Sequence, residues 1–306
     1  MSILLNENNR VLVQGITGQM GTFFAQDARK YGTNIVAGVS PGRDGALVGD
    51  VPVFGSVVAA REATAADTAI IFVPPAVVLG PALEAIEGGC QLVVATADEL
   101  PVRDMIEIRA AAKCHGAAFV GPNTPGLISP GKAKLGFMPS FCYTPGSVGV
   151  ISRSGSLSYE CCKRLTLAGI GQSTVVGIGG DPVKGTTAAE ALELFHDDPE
   201  TEAVLYLGEI GGSEEIFVAE YAARRDAKPI AALIVGETAP PGKRMGHAAA
   251  LIGSKAEGHS AKVAMLRKAC VHVAAGLSGV VVAIQTALQA RRPPVAAAQR
   301  ENVEAK

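Results

Sequence analysis

The sequence lacks the features that mark nucleic-acid-binding, membrane-spanning and disulfide-rich proteins. Its 27 basic and 29 acidic residues nearly cancel, and no segment concentrates lysine and arginine, so we expect no nucleic-acid partner. No apolar run reaches the length of a bilayer, and the first residues have neither a signal-peptide core nor an arginine-rich transit character. We therefore expect a cytoplasmic protein without a membrane partner.

Cysteine pairs are missing as well, whereas glycine is abundant. The six cysteines include no Cys-x-x-Cys pair, and none has a histidine at zinc-ligand spacing, so we expect neither a metal site nor a disulfide framework. The 36 glycines cluster at the ends of apolar runs. That arrangement is typical of tight turns and of loops that bind ligands.

Short β-branched runs alternate with helical patterns along most of the chain. In the first part, strands are predicted at residues 11–14, 35–39, 69–73, 92–95 and 117–120, with helices at 21–31, 77–87 and 102–115. In the second part, strands are predicted at residues 148–151, 173–178, 203–207 and 229–235, with helices at 157–168, 188–195 and 214–224. The alternation predicts an α/β fold with two parallel sheets, each covered by helices on both faces.

Proline and glycine divide the chain into segments. With 306 residues, 48% of them hydrophobic, the chain can bury two α/β cores. We predict a Rossmann-like domain at residues 1–125, a turn-filled, Pro/Gly-rich connection at 126–146 and a second domain at 147–290. Residues 291–306 hold alanine, proline and charge without periodicity, and we expect a flexible tail there.

A glycine loop follows the first predicted strand. Gly15, Gly18 and Gly21 stand three residues apart, where the strand ends and a helix begins. Backbone amides at such a helix start can bind a diphosphate. The spacing differs from the Gly-x-Gly-x-x-Gly of most dinucleotide folds, and a glycine turn that serves only helix–strand packing is the alternative.

The end of the second strand carries a basic residue instead of an acidic one. NAD sites usually place Asp or Glu there for the ribose 2′-hydroxyl, but this chain has Arg43. A guanidinium pairs with phosphate, so the position favours a ribose that bears an extra phosphate. NADP and coenzyme A both fit this pattern, and a solvated loop arginine is the alternative.

Two loops of the second domain suggest phosphoryl chemistry. Ser154 and Gly155 begin a helix after a strand. Such a helix start can bind phosphate, and a plain serine N-cap is the alternative. No Gly-Lys-Ser/Thr follows, so the segment is not a Walker A loop. His247 ends a basic glycine loop, and a neutral imidazole is a good nucleophile toward phosphorus. Glu209, at the end of a strand, is placed by topology to orient it. For the other histidines we expect surface or packing positions.

Six segments together resemble the α subunits of succinyl-CoA synthetase, also called succinate–CoA ligase. The resemblance covers residues 1–253, and the malate–CoA ligase branch is included in it. The matching segments are Gln-Gly-Ile-Thr-Gly at 14–18, Gly-Pro-Asn-Thr-Pro-Gly at 121–126, Ser-Arg-Ser-Gly at 152–155, Gly-Ile-Gly-Gly-Asp-Pro at 177–182, Gly-Glu-Ile-Gly-Gly at 208–212 and Gly-Lys-Arg-Met-Gly-His at 242–247. Their combination is far more specific than any one of them.

The resemblance implies a fold, a reaction and a partner. It implies a Rossmann-like CoA-binding domain, a flavodoxin-like doubly wound ligase domain, and a separate β subunit with an ATP-grasp nucleotide site, in an αβ or α2β2 assembly. The implied reaction is acid plus CoA plus ATP or GTP, with magnesium, giving acyl-CoA, NDP and phosphate, with succinate as the main acid. No ATP-grasp domain fits within this chain, so we expect the chain alone to be inactive.

The resemblance also implies roles for individual residues. His247 would carry the phosphoryl group, Glu209 would orient it, and Ser154 and Gly155 would bind its phosphate. The implied acid-binding residues are Tyr159, Asn123 and Thr124. The implied CoA contacts are Thr17, Gly18, Gln19, Arg43, Thr96, Ala97 and Asp98.

The chain departs from the family pattern at three of these places. Arg43 replaces a lysine, Ala97-Asp98 replaces Thr-Glu, and Thr124 replaces the usual cysteine beside the active site. Malate or another small dicarboxylate therefore stays open as the acid. From another class, an NADP-dependent oxidoreductase would explain Arg43 but not the His247 loop. A non-catalytic CoA-binding subunit would need neither His247 nor Glu209.

Overall fold

The computed structural model describes residues 2–240 and 242–290, which form an α/β protein with two seven-stranded sheets. The first sheet contains β1 (Val11–Gln14), β2 (Ile35–Val39), β3 (Leu47–Val48), β4 (Val51–Phe54), β5 (Thr68–Ile71), β6 (Leu92–Ala95) and β7 (Ala118–Val120). Its helices are α1 (Gln19–Tyr31), α2 (Val57–Thr64), α3 (Leu79–Glu87) and α4 (Val102–His115). None of the described helices is long and apolar enough to cross a membrane.

The first sheet has the strand order of a Rossmann fold. The order is β3-β4-β2-β1-β5-β6-β7, and all neighbours are parallel except β3 and β4. Counted along the chain, the parallel strands follow the 3-2-1-4-5-6 order of dinucleotide-binding domains. Every residue of β1, β5 and β6 is buried, as expected for strands that helices cover on both faces. The Rossmann-like prediction is confirmed.

The second sheet combines a doubly wound core with an antiparallel hairpin. Its strands are β8 (Gly126–Ser129), β9 (Ala133–Gly136), β10 (Pro145–Ser152), β11 (Gln172–Gly177), β12 (Ala203–Glu209), β13 (Ile230–Val235) and β14 (His272–Val273). Its helices are α5 (Gly155–Leu167), α6 (Ala188–Asp197), α7 (Glu214–Ala222), α8 (His259–Lys268) and α9 (Val280–Gln289). The order β14-β13-β12-β10-β11-β8-β9 contains the flavodoxin order 2-1-3-4-5, read from β11 to β14.

The segment that was expected to be a turn-filled connection contains two strands. Residues 126–146 include β8, β9 and the start of β10, and β8 pairs antiparallel with β11. Gly126 and Gly136 lie opposite each other so closely that a Cβ on Gly126 would be 2.0 Å from the carbonyl oxygen of Leu135. The glycines therefore permit a tight hairpin, whereas the sequence pattern suggested irregular structure. The predicted tail at 291–306 lies outside the described residues.

This hairpin joins the two sheets. Ser129 donates a hydrogen bond to the carbonyl of Leu5 (2.6 Å), and Thr33 exchanges two hydrogen bonds with the backbone of Lys134 (2.8 and 2.9 Å). One apolar cluster runs through both sheets and includes Val13 and Val176. Because of this packing, the loops at the carboxyl ends of both sets of parallel strands meet, and the candidate site lies among them.

Candidate active site

His247 and Glu209 form the centre of the site. His247 lies in the long loop between β13 and α8, and Glu209 is the last residue of β12. The imidazole Nδ1 is 2.8 Å from Oε2 and 3.0 Å from Oε1 of the Glu209 carboxylate. An ionised carboxylate can only accept, so Nδ1–H is the donor, and in the neutral ring the lone pair then lies on Nε2. The two side chains were expected to meet from the topology, and they do so in the structure. Their catalytic roles stay predictions.

Arg153 contacts both the side chain and the backbone carbonyl of Glu209. Its guanidinium, 1% exposed, lies 3.2 Å from Oε1 of Glu209 and donates to the carbonyls of Glu209 (3.3 Å) and Gly211 (2.8 Å). Burial works against its charge, but Tyr206 and the carboxylates of Glu209 and Glu215 outweigh burial and raise the pKa of Arg153. The guanidinium therefore stays charged beside the Glu209 carboxylate.

Lys262 and Glu215 complete a buried ionic cluster around this turn. The Lys262 ammonium donates to the carbonyls of Glu209 (2.9 Å) and Gly211 (2.7 Å) and to the Glu215 carboxylate. Glu215 also accepts from the Tyr206 hydroxyl at 2.9 Å. Neither residue was predicted from the sequence, because each lies within an ordinary helix, α8 or α7, with no local motif. Arg153 lies in the Ser-Arg-Ser-Gly segment at 152–155, but the sequence suggested no role for it.

Gly180 packs directly against the His247 ring. A Cβ at this position would lie 2.4 Å from Cγ and 2.7 Å from Nδ1 of His247, too close for any side chain. The Gly180 carbonyl also accepts a hydrogen bond from the amide of Ala249 at 3.2 Å. The absence of a side chain at Gly180 thus allows the His247 loop to reach Glu209. Only the three-dimensional structure reveals this role.

A cavity of about 320 Å³ lies beside the imidazole and collects residues from both parts of the chain. Its lining residues are Thr96, Asp98, Asn123, Thr124, Pro125, Phe137, Gly155, Tyr159 and His247. Gly155 is the first residue of α5, so the helix N-terminus opens toward the same space as His247. Ser154 is the N-cap of that helix and accepts from the amide of Leu157 at 3.5 Å. Helix N-termini favour anionic groups.

The three predicted acid-binding residues all line the cavity. Burial raises the pKa of Tyr159 to about 12, so its hydroxyl stays protonated. The Asn123 side-chain amide donates to Asp181 at 2.9 Å. The Thr124 hydroxyl donates to the carbonyl of Gly177 (2.5 Å) and accepts from the amide of Gly126 (2.9 Å), so it is engaged in holding the backbone.

The predicted CoA residues fall into two groups. Thr96 and Asp98 reach the cavity, and the carbonyl of Ala97 accepts from the amide of Asn123 at 2.7 Å. The other group is exposed at the ends of β1 and β2 and does not line the cavity; it consists of Thr17, Gly18, Gln19 and Arg43. Thr17 shares a hydrogen bond of 2.9 Å with Ser40, which joins the two loops.

The glycine loop itself shows close backbone packing. A Cβ on Gly21 would be 2.2 Å from the carbonyl oxygen of Gly15, so at least this glycine is required for the contact between α1 and the turn. Packing, the alternative reading of the loop, accounts for Gly21. The exposed start of α1 at Gly18 remains available for an anionic ligand.

Comparison with known protein families assigns both parts of the chain. Residues 6–98 match a CoA binding domain, and residues 151–272 match the CoA-ligase family. The chain also resembles a solved ATP citrate lyase from Methanothrix soehngenii, with a TM-score of 0.84 at 22% identity, over 94% of this chain and 50% of that longer chain. At that identity the likeness concerns the fold.

Two curated relatives are much closer in sequence. The α subunit of an ADP-forming succinate–CoA ligase from Aquifex aeolicus is 47% identical over 89% of this chain and 90% of its own length. The α subunit of a malate–CoA ligase from Methylorubrum extorquens is 46% identical over 87% of this chain and 92% of its own length. Together with the matched domains and the paired His247 and Glu209, these similarities show that the chain belongs to the succinate–CoA ligase α-subunit family.

Proposed function

We propose that this chain is the α subunit of an ADP-forming acid–CoA ligase that works through a phosphohistidine at His247, with succinate as the main acid. The main support is the hydrogen bond between His247 and Glu209 beside a cavity that the N-terminus of α5 also lines. A histidine with its Nδ1 proton held by a carboxylate presents a nucleophilic Nε2. A helix N-terminus beside it suits the phosphoryl group.

The proposed reaction has three transfers. Nε2 of His247 takes the γ-phosphoryl group of ATP while ADP leaves with the electrons of the broken P–O bond. An oxygen of the substrate carboxylate then takes the phosphoryl group, which returns His247 to its neutral form. Finally the CoA sulfur attacks the acyl carbon and phosphate leaves. Splitting one condensation into transfers between positioned groups is the benefit of covalent catalysis.

The chain's own residues have separate tasks in this scheme. The Glu209 carboxylate stabilises the positive charge that the ring gains when Nε2 is phosphorylated. The amides at the start of α5, with Ser154 and Gly155, bind the phosphoryl oxygens, and the helix dipole adds about 0.3–1 kcal/mol. Tyr159 and Asn123 bind the acid, and Thr124 lines the cavity beside them while its hydroxyl holds the backbone. These roles rest on position in the cavity and on the family pattern.

CoA is proposed to run from the first domain to the cavity. Thr17, Gly18, Gln19 and Arg43 would hold its nucleotide end, since a helix N-terminus and a guanidinium both suit phosphates. The residues at 96–98 lie nearer to His247 and would guide the thiol end, because Thr96 and Asp98 line the cavity.

The nucleotide is proposed to bind, with magnesium, to a partner β subunit of the ATP-grasp type. The support is the α-subunit naming of both relatives, which implies a partner subunit. We propose a cytoplasmic αβ or α2β2 assembly. Malate is the second candidate acid, because the malate–CoA ligase relative is nearly as similar as the succinate–CoA ligase.

The decisive experiment is intact-mass spectrometry of the chain co-expressed with its β subunit. After incubation with ATP and magnesium, wild type is expected to gain one acid-labile phosphoryl group, and His247→Asn is expected to gain none. Succinate or malate with CoA should then remove the adduct, and the faster acid identifies the substrate. A nucleotide-binding complex that never gains the adduct would refute the phosphohistidine mechanism.

A further inference from the structure

We propose that Lys262 and Arg153 are positioning residues for His247, acting through the backbone turn at Glu209–Gly211, with Glu215 as their shared counter-ion. This inference rests on the proposed phosphohistidine function. Neither cation is adjacent to His247 in sequence. Arg153 directly follows β10, and Lys262 lies in α8.

The first support is that both cations hold the same two backbone atoms. Lys262 and Arg153 each donate to the carbonyls of Glu209 and Gly211, at distances between 2.7 and 3.3 Å. These carbonyls belong to the turn that follows β12 and directs the Glu209 side chain. Each carbonyl oxygen can accept two hydrogen bonds, so the cations fill both positions. The conformation of the turn is therefore set by charged donors.

The second support is the charge balance of the cluster. Glu215, fully buried, accepts from Lys262 and lies 3.6 Å from Arg153, while Arg153 lies 3.2 Å from the Glu209 carboxylate. Within ion-pair distance, two cations thus face two carboxylates in a buried region, where an uncompensated charge is costly. Loss of Lys262 would leave Glu215 to attract Arg153 away from Glu209. Glu209 would then lose part of what holds it against Nδ1 of His247.

The third support is that stability alone gives little reason for this buried ionic cluster. Buried ion pairs contribute little net stability compared with packed apolar residues. Burial also lowers the pKa of Lys262, because loss of solvation outweighs the attraction of Glu215. The placement of both donors on the turn that carries Glu209 gives this arrangement a role in the orientation of His247.

The test compares two buried lysines. Lys262→Met removes the positioning donor. Lys134→Met is the matched control, because Lys134 is equally buried and binds Asp27 and a backbone carbonyl but lies in β9, away from His247. In the complex with the β subunit, we expect Lys262→Met to form phosphohistidine about 10- to 100-fold more slowly, the usual loss when an orienting partner is removed. The KM for CoA should stay within about twofold, since Lys262 bonds to Glu209, Gly211 and Glu215 and to none of the residues assigned to CoA.

A second variant covers the risk that Lys262→Met fails to fold. The double variant Lys262→Met with Glu215→Gln keeps the cluster neutral, and we expect it to fold and to remain slow because the two carbonyls still lack the Lys262 donor. A wild-type rate in either folded variant, or equal slowing in Lys134→Met, would overturn the positioning role. If wild type itself gains no phosphoryl group, the proposed function fails, and that result is distinct from a normal rate in the variants.

Discussion

Substitution of Gly180 by alanine should disable His247 while leaving the fold intact. The added Cβ would lie 2.4 Å from Cγ, 2.7 Å from Nδ1 and 2.8 Å from Cβ of His247. Ordinary carbon–carbon contacts are about 3.5–4.0 Å, so the ring or its loop has to move by roughly 1 Å. The backbone at Gly180 has no left-handed φ, and the effect is therefore steric.

A displacement of this size breaks the geometry on which the chemistry depends. The ring would separate from the Glu209 carboxylate, now 2.8 Å from Nδ1. A misplacement of about 1 Å can slow a positioned reaction by roughly 100-fold. We expect Gly180→Ala to form phosphohistidine about 100-fold more slowly than wild type, measured by quenched-flow labelling of the αβ complex with radioactive ATP.

Gly80→Ala is the matched control for this change. Gly80 lies in α3, has open space around its Cα, and is compatible with alanine, which raises helix stability by up to about 1 kcal/mol. The Gly80→Ala variant should be phosphorylated at His247 at the wild-type rate, and its melting temperature should equal or exceed that of the wild type. Equal phosphorylation rates in Gly180→Ala and wild type would show that the ring's position is not set by this contact.

Three further changes test the other parts of the site. Glu209→Gln should slow phosphorylation by about 10²- to 10⁴-fold, because an amide no longer fixes the Nδ1–H tautomer, and unchanged single-turnover kinetics would contradict this. Arg43→Ala should raise the KM for CoA at least about tenfold, as expected for loss of a charged hydrogen bond, with little change in the KM for 3′-dephospho-CoA; equal effects on both would remove the assigned phosphate contact. Thr124→Val should lower the free energy of unfolding, measured by urea denaturation, by about 1–3 kcal/mol, because the carbonyl of Gly177 loses its buried donor. Thr124→Ser should restore the wild-type free energy of unfolding. A valine variant as stable as the wild type would show that this hydrogen bond contributes no net stability.

The alternation of apolar runs and helical patterns was enough to predict the centre of both sheets. The first strand was predicted at its observed bounds, Val11–Gln14, because a fully buried parallel strand reads as a continuous apolar run. The predictions did not include the helices α2, α8 and α9 or the short strands β3, β4, β8, β9 and β14. β3, for example, has only two residues, which is too few for a periodic pattern.

The connection at 126–146 illustrates a different limit. Its prolines and glycines predicted turns, and the structure has a hairpin there that pairs with β11. A glycine-rich stretch is compatible with either, because glycine permits both a loose loop and the closest approach of two strands. The outcome was decided by a distant partner, the edge of the second sheet. No local propensity carries that information.

The two α/β domains, the glycine loops and the pairing of His247 with Glu209 could all be predicted from the sequence. Strand ends and motif residues are local in the chain, and parallel strands bring their carboxyl ends together. Tertiary structure alone decided what surrounds that pair. Gly180 matters only because a ring from a loop far along the chain packs on it. Lys262, Glu215 and Arg153 meet only when α8, α7 and β10 pack around the end of β12, since charge neutralisation in a buried region depends on distance in space and not on spacing in the sequence.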